Sequence, residues 1–368
     1  MNTIIGEYYY VGIRDEISFC EKDENIFNQL DDFLEANKSE TKLLFISYDL
    51  KNNIESLSSK NKDLIKFPII KCIVPEKILK AKDFKNLIKT QDKSIGFIPE
   101  FNKEKYISII NRIKNHIQKG DIYETNFCYN WLANHKLKNP YLIYQKLERL
   151  TKAPFKVYAD LDNHIIISAS PERFIKKIGN QLISQPIKGT SKRHHDPKKD
   201  KTLVEKLEND PKERTENIMI VDLVRNDMSK IASKKSVSVD ELCQVYTFEN
   251  IHQMISSISC KINDSVSFSD ILKAMFPMGS MTGVPKIRAM KLMDKYEATK
   301  RGLYSGAVGV IYPNGDFDFN VIIRTLIYNK TNNYLSFNVG SAITINSEAE
   351  KEYEETLVKA EALFKACN

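Results

Sequence analysis

Short turns between apolar runs near the C-terminal end constrain the fold of this chain most. Residues 306–345 read GAVGVIYPNGDFDFNVIIRTLIYNKTNNYLSFNVGSAITI, and the turn sequences PNGD and NKTNN divide them into three runs rich in β-branched and aromatic residues. Turns of this composition join neighbouring antiparallel strands. The segment therefore predicts antiparallel pairing of three strands, not the parallel sheet of a doubly wound fold.

Upstream segments extend this pattern and add helices. The runs FKVYADLDNHIIISAS and ERFIKKIGNQLISQPI are predicted to be strands, with a hairpin turn at Gly179-Asn180. Apolar residues spaced by three and four predict a helix that stops at Gly120. The predicted helical ranges are 101–120, 202–232, 268–300 and 347–366. Hairpins interrupted by helices indicate an α+β fold with large antiparallel sheets.

The sequence has no internal repeat and no long linker. Its first part mixes short apolar runs with connections rich in lysine and asparagine, which predicts strands joined by polar loops. We therefore expect one compact unit, in which an N-terminal subregion of residues 1–95 packs on a larger region of residues 96–368 that carries the functional site.

The composition excludes several classes of protein. There are 55 basic and 48 acidic residues, but the lysines are scattered, so we expect anionic small molecules rather than nucleic acid as partners. The six cysteines are far apart and form no CxxC pair, which indicates a reducing cytoplasm and neither a disulfide framework nor a zinc site. Because Glu7 interrupts the first apolar residues and no apolar run reaches about 18 residues, we expect no signal peptide and no membrane segment.

Two predicted helices each carry a pair of glutamates three residues apart. Glu213 and Glu216 lie in PKERTENIMIVDLVRND, and Glu352 and Glu355 lie in EKEYEETLVKAEAL. Residues at i and i+3 share a helix face, so two facing helices could direct four carboxylates to one hard cation. Mg²⁺ suits such a site better than zinc because no cysteine or histidine joins it. Glutamates on helices usually face water, and spacing alone leaves that alternative open.

The stretch SQPIKGTSKR, residues 184–193, places Lys188 at the end of a predicted strand. Most lysines are solvated, and the local sequence leaves a surface role open. A catalytic lysine needs partial burial that lowers its pKa, so that a neutral amine is available, and Gly189 would let a ligand approach the backbone. The predicted hairpin could bring Glu172, in SASPERF, to the same place, which would put an acid and an amine in one pocket.

The run FPMGSMTGVPK, residues 276–286, is rich in glycine and hydroxyl residues and precedes a predicted helix. Such a loop can offer backbone N–H groups to an anion, or it can be an ordinary connection. The sequence has no Walker or Rossmann glycine pattern, no HExxH and no GxSxG. It therefore does not support nucleotide binding, a zinc hydrolase or a serine hydrolase.

Eight motifs follow one another along residues 120–366. They are GDIYETNF (120–127), SPERF (170–174), PIKGTSKR (186–193), ENIMIVDLVRND (216–227), FPMGSMTGVPKIRAM (276–290), RGLYSGAVG (301–309), DFNVIIRT (318–325) and EYEETLVKA (352–360). In this order they resemble the chorismate-utilising enzymes: component I of anthranilate synthase, component I of aminodeoxychorismate synthase, and the isochorismate and salicylate synthases. The N-terminal FISYDLKNNIE resembles the family more weakly.

The resemblance implies two large packed antiparallel β-sheets with helices on the outside, and a Mg²⁺ ion that anchors the ring carboxylate of chorismate. It also implies that Glu216 and Glu355 bind the metal directly, with Glu213 and Glu352 in supporting positions. The positions that match substrate-binding residues of the family are Gly189, Thr190, Thr282, Tyr304, Arg324, Lys359 and the backbone of Gly340, Ser341 and Ala342.

The position of Lys188 distinguishes two branches of the family. It is usually alanine, within PIAGT, in anthranilate synthases, and lysine, within PIKGT, in aminodeoxychorismate synthases. The resemblance implies that Lys188 attacks ring carbon 2 while Glu172 protonates the departing 4-hydroxyl. Gln253 replaces a histidine typical of the anthranilate branch, and we expect Ala342, in place of a family glycine, to preserve binding. The implied protein is component I of an aminodeoxychorismate synthase, which leads to p-aminobenzoate and folate.

Chorismate and ammonia are the implied reactants. No glutaminase-like triad is recognisable, so we expect a separate glutamine amidotransferase subunit to supply the ammonia. The alternatives are anthranilate synthase component I, an isochorismate or salicylate synthase that uses water, and a catalytically silent member that only binds the amidotransferase. Retention of Glu172, Lys188, Glu216 and Glu355 argues against the silent member.

Overall fold

Two large antiparallel sheets form the centre of the molecule. The computed structural model of the chain describes residues 1–86, 88, 90, 92–249 and 251–368. Within them, each sheet has ten strands, and the strand pairs of both sheets are antiparallel. The predicted α+β class with two large antiparallel sheets is confirmed.

The elements are numbered in chain order. The strands are β1 (Asn2–Ile5), β2 (Tyr8–Val11), β3 (Asp15–Phe19), β4 (Lys42–Ile46), β5 (Ile70–Val74), β6 (Lys77–Lys80), β7 (Ile98–Pro99), β8 (Glu124–Asn134), β9 (Phe155–Asp160), β10 (His164–Ser170), β11 (Arg173–Ile178), β12 (Gln181–Gln185), β13 (Ile187–Lys192), β14 (Ser238–Thr247), β15 (Ile251–Lys261), β16 (Gly283–Val284), β17 (Ala307–Ile311), β18 (Phe317–Val321), β19 (Thr325–Asn329) and β20 (Tyr334–Ile343). The helices are α1 (Ile26–Ala36), α2 (Lys51–Ile54), α3 (Lys103–Gln118), α4 (Pro140–Thr151), α5 (Pro197–Glu208), α6 (Pro211–Ser229), α7 (Phe268–Met275), α8 (Lys286–Tyr296) and α9 (Ala349–Cys367).

The strand order mixes distant parts of the chain in both sheets. The first sheet has the order β16-β8-β20-β19-β10-β9-β1-β2-β6, with β7 also paired to β8. The second has the order β13-β15-β12-β11-β18-β17-β4-β5-β3, with β14 also paired to β15. The hairpin predicted at Gly179-Asn180 is confirmed, since β11 and β12 pair on either side of it.

Residues 306–345 form four strands, so the prediction of three is wrong. β17 pairs with β18 in the second sheet, whereas β19 pairs with β20 in the first. The middle run is therefore broken at residues 322–324, where the chain passes from one sheet to the other. The β-branched residues on both sides of Arg324 continue the strand pattern, so the sequence does not mark this crossing. Arg324 lies at the junction of the two sheets and adopts a positive φ of 53°.

The N-terminal residues contribute strands to both sheets. β1, β2 and β6 belong to the first sheet, and β3, β4 and β5 belong to the second. β1 pairs with β9, and β4 pairs with β17, so this part of the chain is hydrogen-bonded to the rest along both sheets. The division of the chain at residue 95 stays a prediction.

Two of the predicted helical ranges each contain two helices. Residues 202–232 fall on α5 and α6, and the break between them is set by Asp210, whose side chain caps α6 by accepting from the N–H groups of Lys212 and Glu213. Pro211 follows at the first helical position, which suits a helix start. The range 268–300 likewise divides into α7 and α8, with the glycine-rich loop between them.

Apolar residues from both sheets meet in a core between them. Phe45 and Val308 of the second sheet pack with Val157 and Ile166 of the first, and all four side chains are buried. Dense packing of this kind fixes the position of one sheet relative to the other. In the described part of the chain, no helix combines the length and apolar character that a membrane crossing requires.

Candidate active site

One cavity brings together most of the residues that the sequence singles out. It has a volume of about 380 Å³ and lies between β13, β20, α6 and α9. The predicted site residues in its wall are Glu172, Lys188, Gly189, Thr190, Glu213, Glu216, Tyr304, Arg324, Gly340, Ala342, Glu352, Glu355 and Lys359.

Two further predicted residues, Thr282 and Ser341, direct their side chains elsewhere. Successive residues of a strand face opposite sides, so Gly340 and Ala342 line the cavity while the Ser341 hydroxyl lies 2.9 Å from that of Tyr106. The Thr282 hydroxyl donates to carbonyl groups of its own loop. Substrate binding by these two residues stays a prediction.

An irregular stretch of β13 carries Lys188. The register of β13 against β15 shifts between Ile187 and Thr190. Gly189 has a positive φ of 87°, and a Cβ atom there would lie 3.1 Å from Oε2 of Glu213. Irregularities of this kind re-aim side chains, and glycine is the residue that tolerates both the conformation and the close neighbour. The local backbone thus directs Lys188 into the cavity.

Lys188 is buried and paired with a carboxylate. Its side chain is 11% exposed, and its Nζ donates a 2.8 Å hydrogen bond to Oε1 of Glu124 on β8. Burial lowers the pKa of Lys188, but the negative charges of Glu124 and Glu216 outweigh burial and raise that pKa above its ordinary value. The surface alternative is therefore wrong. The direction of the shift is opposite to the lowering of the pKa that a catalytic lysine needs, because carboxylates that are distant in sequence surround the amine.

Glu172 lies in the same cavity as Lys188. A short 3₁₀ turn, Gly279–Met281, brings the hydroxyl of Ser280 to Glu172, to which it donates a 2.6 Å hydrogen bond. Burial raises the pKa of Glu172 to about 7, against the opposing effects of this hydrogen bond and of the positive charge on Lys188. A carboxyl group with such a pKa can donate a proton at neutral pH.

Helix α6 presents Glu213 and Glu216 to the cavity. Glu216 precedes Ile220 and Val224 at intervals of four, so it lies on the buried face of the helix and is only 5% exposed. Burial raises the pKa of Glu216 to about 7, and burial also raises the pKa of Glu213. The solvated alternative is therefore wrong for Glu216, whereas Glu213 is partly buried.

Helix α9 presents Glu352 and Glu355 from the opposite side. Glu352 and Thr356 are buried one turn apart, whereas Glu355 lies on the neighbouring, more exposed stripe. Lys359 pairs with Glu355 at 2.6 Å and donates a 3.0 Å hydrogen bond to the carbonyl of Gly340. Although burial alone would raise the pKa of Glu355, the ammonium of Lys359 holds it below its usual value.

The ammonium of Lys212 lies between the two helices. Its Nζ is 3.4 Å from Oε1 of Glu352 and 3.8 Å from Oε1 of Glu216. As the side chains are arranged in the described ranges, no three histidine, cysteine or acidic groups are close enough together to hold a metal ion. The chemistry of the donor set nevertheless fits a hard divalent cation, because four carboxylates line the same cavity and Oε1 of Glu216 is buried without a hydrogen-bond partner among the described residues.

Arg324 and Tyr304 form the part of the wall nearest the junction of the sheets. Burial lowers the pKa of Arg324, against the opposing effects of Tyr304 and Glu355. Within the ranges that the structure covers, the guanidinium forms no ion pair with a carboxylate. An arginine that faces a cavity without such a partner can bind a carboxylate of a ligand through two parallel hydrogen bonds.

Several polar residues of the site were missed in the sequence, among them Glu124, Asn126, Lys212 and Ser280. Glu124 and Asn126 are two residues apart on β8, and strand alternation within the motif GDIYETNF could have placed them on one face. Lys212 precedes Glu216 by one helical turn and could have been found by the same spacing rule. No local signal marks Ser280, because its role depends on the folded loop.

Comparisons with known proteins relate the chain to a family of enzymes. A family model described as chorismate binding enzyme matches residues 84–365. Anthranilate synthase component 1 of Aquifex aeolicus is 33% identical over 317 residues, which are 86% of this chain and 62% of that protein. Aminodeoxychorismate synthase component 1 of Klebsiella aerogenes is 36% identical over 263 residues, which are 72% of this chain and 58% of that protein.

The fold has a close counterpart among solved structures. Anthranilate synthase component I from Streptococcus pneumoniae superposes with a TM-score of 0.85 and 24% sequence identity, covering 99% of this chain and 92% of that one. The chain thus shares the fold of that protein, and it spans about three fifths of the length of the two sequence relatives. The family match shows that the chain belongs to the chorismate binding enzymes.

Proposed function

We propose that this chain is component I of an aminodeoxychorismate synthase, which converts chorismate and ammonia to 4-amino-4-deoxychorismate, a precursor of p-aminobenzoate and folate. The observation that carries the proposal is the presence of Lys188 and Glu172 in one cavity. Among the enzymes that the chain resembles, a lysine at this position is the mark of the aminodeoxychorismate branch. Glu172, with its pKa of about 7, supplies the acid that this chemistry needs.

The cavity suits a substrate with two carboxylates, as chorismate has. Arg324, which forms no ion pair within the described ranges, would bind one carboxylate, and Lys359 adds a second positive charge to the cavity wall. Gly340 and Ala342 leave the β20 side of the wall free of large side chains. The hydroxyl groups of Thr190 and Tyr304 would form hydrogen bonds with other polar atoms of the substrate.

The four glutamates would hold a Mg²⁺ ion. Glu216 and Glu355 would bind it directly, and Glu213 and Glu352 would support them. When bound, the ion supplies positive charge that anchors the ring carboxylate of chorismate. Lys212 would give up its position between the helices, because an ammonium and a divalent cation repel each other in the same small space.

In the proposed reaction, the amine of Lys188 forms a bond to ring carbon 2 as the bond between carbon 4 and its hydroxyl breaks. The departing hydroxyl takes a proton from Glu172 and leaves as water. Ammonia then forms a bond to carbon 4, and the electron pair of the bond between carbon 2 and the lysine nitrogen returns to Lys188. Glu172 regains its proton from solvent or from ammonium, so one chorismate and one ammonium give one product and one water.

Anthranilate synthesis is the second candidate, because the Aquifex relative carries that name. Without an attacking lysine, ammonia would add directly at carbon 2, which leads toward anthranilate. The buried position of Lys188 is the observation that favours the first candidate. An isochorismate or salicylate synthase would instead add water at carbon 2.

We further infer a separate glutamine amidotransferase subunit as the source of ammonia, in line with the name component 1 of the Klebsiella relative. A cytoplasmic location is part of the same proposal. It is supported by six cysteines that are all free thiols, five of them buried, as expected in a reducing compartment.

Product analysis tests the proposal. Purified protein is incubated with chorismate, Mg²⁺ and ammonium, and the products are separated by chromatography and identified by mass and fluorescence. We expect 4-amino-4-deoxychorismate. Anthranilate as the sole product would establish the second candidate, and isochorismate formed without ammonium would identify a synthase that uses water. Absence of any conversion, also with an added glutamine amidotransferase and glutamine, would indicate a catalytically silent member.

A further inference from the structure

Glu124 is the hydrogen-bond partner of Lys188, but it does not belong to the cavity wall. It is 1% exposed at the first position of β8, whereas Lys188 lines the cavity. Its Oε1 accepts the 2.8 Å hydrogen bond from Nζ of Lys188, and its Oε2 is buried without a hydrogen-bond partner among the described residues. Asn126, on the same face of β8, reaches the wall. The amine therefore has the ligand space on one side and a buried carboxylate on the other.

This arrangement poses a problem for a nucleophilic lysine. Only the neutral amine has a free electron pair, yet the carboxylates around Lys188 favour its charged form. The acidic groups that face it come from four parts of the fold and are Glu124 of β8, Glu172 between β10 and β11, Glu213 and Glu216 of α6, and Glu355 of α9. Attack on a ligand therefore requires that the amine first give up a proton, and a carboxylate that is already hydrogen-bonded to the amine can accept it without a step through solvent.

We propose that Glu124 accepts the proton of Lys188 as the lysine nitrogen attacks the substrate, and returns it when the lysine is expelled. This inference rests on the proposed function, since it concerns the attacking amine of that reaction. Glu124 acts through Lys188 and touches no substrate atom, so it is a positioning residue that also carries a proton.

The proton count closes over the cycle. One proton passes from the ammonium of Lys188 to a carboxylate oxygen of Glu124, and the neutral amine forms its bond to carbon 2 and becomes a secondary ammonium. When ammonia bonds to carbon 4, the bond between carbon 2 and nitrogen breaks and the lysine leaves as a neutral amine. The proton on Glu124 then returns to it and restores the original ion pair. No oxidant, reductant or further reactant is required.

The other carboxylates are poorly placed for this task. Glu172 accepts from Ser280 and is needed as the proton donor to the departing hydroxyl. Glu216 faces Lys212 and belongs to the group of carboxylates that fits a cation. Among the described residues, Glu124 is the carboxylate with a direct hydrogen bond to the amine. A short, already formed hydrogen bond is the geometry that proton transfer requires.

The test compares the pH dependence of Glu124→Gln with that of the wild type. A proton that moves within the Lys188–Glu124 pair leaves the total proton count of the pair unchanged, so the amount of reactive amine does not depend on pH. In Glu124→Gln the proton must leave for solvent, and the amount of reactive amine then rises tenfold per pH unit until the pH reaches the pKa of the lysine. Initial rates are measured with saturating chorismate and a constant concentration of free ammonia.

We expect the rate of Glu124→Gln divided by that of the wild type to be at most about one tenth at neutral pH and to rise with pH. Dividing the two rates cancels the contribution of Glu172, which is common to both proteins. Glu124→Asp, which keeps a carboxylate, should give a lower rate with a pH-independent ratio. Glu35→Gln removes one carboxylate from the exposed pair with Lys38 and serves as the matched control, with a ratio of one at every pH. A pH-independent ratio for Glu124→Gln would overturn the inference.

A second measurement does not depend on the proposed reaction. Lys188 is acetylated with acetic anhydride in the absence of chorismate, and the modified peptide is quantified by mass spectrometry. Because loss of the Glu124 charge lowers the pKa of the lysine, we expect several-fold faster labelling in Glu124→Gln than in the wild type at the same pH. Equal labelling would overturn the pairing itself. If Glu124→Gln is labelled faster than the wild type but the wild type forms no 4-amino product, the ion pair is supported and the proposed function is contradicted.

Discussion

The hydroxyl of Ser280 donates a 2.6 Å hydrogen bond to Oε1 of Glu172. A charged carboxylate accepts this bond more strongly than a neutral carboxyl group, so the bond lowers the pKa of Glu172, whereas burial raises it by more. The balance leaves that pKa at about 7. Glu172 can therefore be protonated at neutral pH and can still release its proton to a departing hydroxyl.

Removing this hydrogen bond should move the pH profile. In the proposed reaction Glu172 must be protonated, so the wild-type rate should fall as the pH rises through about 7. Ser280→Ala raises the pKa of Glu172, and we expect the fall to occur about one pH unit higher, since one unit corresponds to about 1.4 kcal/mol. Rates are measured at constant free ammonia. Ser229→Ala, which removes a hydroxyl at the exposed end of α6, should leave the profile in place. An unchanged profile in Ser280→Ala would show that the bond does not tune Glu172.

Lys188→Ala should abolish the 4-amino product. Loss of a group that acts directly on the reacting atoms should lower the rate of that product by roughly 1,000-fold, and slow addition of ammonia at carbon 2 is expected to remain. Anthranilate fluorescence and mass spectrometry measure both products. Lys38→Ala, at an exposed ion pair, is the control for loss of one lysine. If Lys188→Ala forms the 4-amino product at the wild-type rate, the lysine has no nucleophilic role.

The sequence predicted the fold class and many elements because hairpin turns and apolar spacing are local signals. The helix that stops at Gly120 and the hairpin at Gly179-Asn180 are examples. The crossing at residues 322–324 was missed because its cause is not local. β-branched residues flank Arg324 on both sides, and only the packing of two sheets decides that the chain changes sheet there.

The site shows the same division between local and non-local information. Helical spacing placed Glu213 and Glu216 on one face, and the structure brings them into one cavity with the glutamates of α9. The partner of Lys188 could not be read from its neighbours in sequence, because Glu124 is 64 residues away. For the same reason the sequence did not predict the direction of the pKa shift of Lys188, since burial and nearby carboxylates shift this pKa in opposite directions.

Binding of Mg²⁺ should respond in opposite directions to two substitutions. Glu216→Gln removes a carboxylate from the proposed cation site, and we expect affinity for Mg²⁺ to fall at least about tenfold. Lys212→Met removes an ammonium that would repel the ion, and we expect affinity to rise by a similar factor. Calorimetric titration with Mg²⁺ alone, without chorismate, measures both constants.

A control and a thermal measurement accompany this titration. Glu35→Gln, which removes an exposed carboxylate outside the site, should bind Mg²⁺ as the wild type does. Melting temperature in the presence of Mg²⁺ should rise for the wild type and for Lys212→Met, because a ligand that binds the folded state stabilises it. Equal affinities in Glu216→Gln, Lys212→Met and the wild type would mean that the ion does not bind between α6 and α9.

The buried ion pair of Arg301 with Glu297 should be essential for stability. The guanidinium also donates to the carbonyl groups of Met281 and Asn126, so it links the loop before α8 to β8. Arg301→Met leaves a buried carboxylate without its partner, and we expect the free energy of unfolding to fall by about 3–5 kcal/mol. Denaturation in urea measures the change. Lys38→Met, at an exposed pair, should show no measurable change, and a similarly small effect for Arg301→Met would contradict the prediction.

Gly189 and Gly179 allow backbone strain to be separated from the shape of the site. Both have a positive φ, but a Cβ atom on Gly179 would have no neighbour within 4 Å, whereas one on Gly189 would lie 3.1 Å from Oε2 of Glu213. Replacing either residue by alanine should cost about 1–2 kcal/mol of stability, because an L side chain is strained in this conformation. Only Gly189→Ala should also lose most of the activity and weaken Mg²⁺ binding, since it shifts both Lys188 and Glu213. Unfolding in urea and initial rates measured on both variants check this, and equal activity in the two would show that the bulge of β13 does not position the lysine.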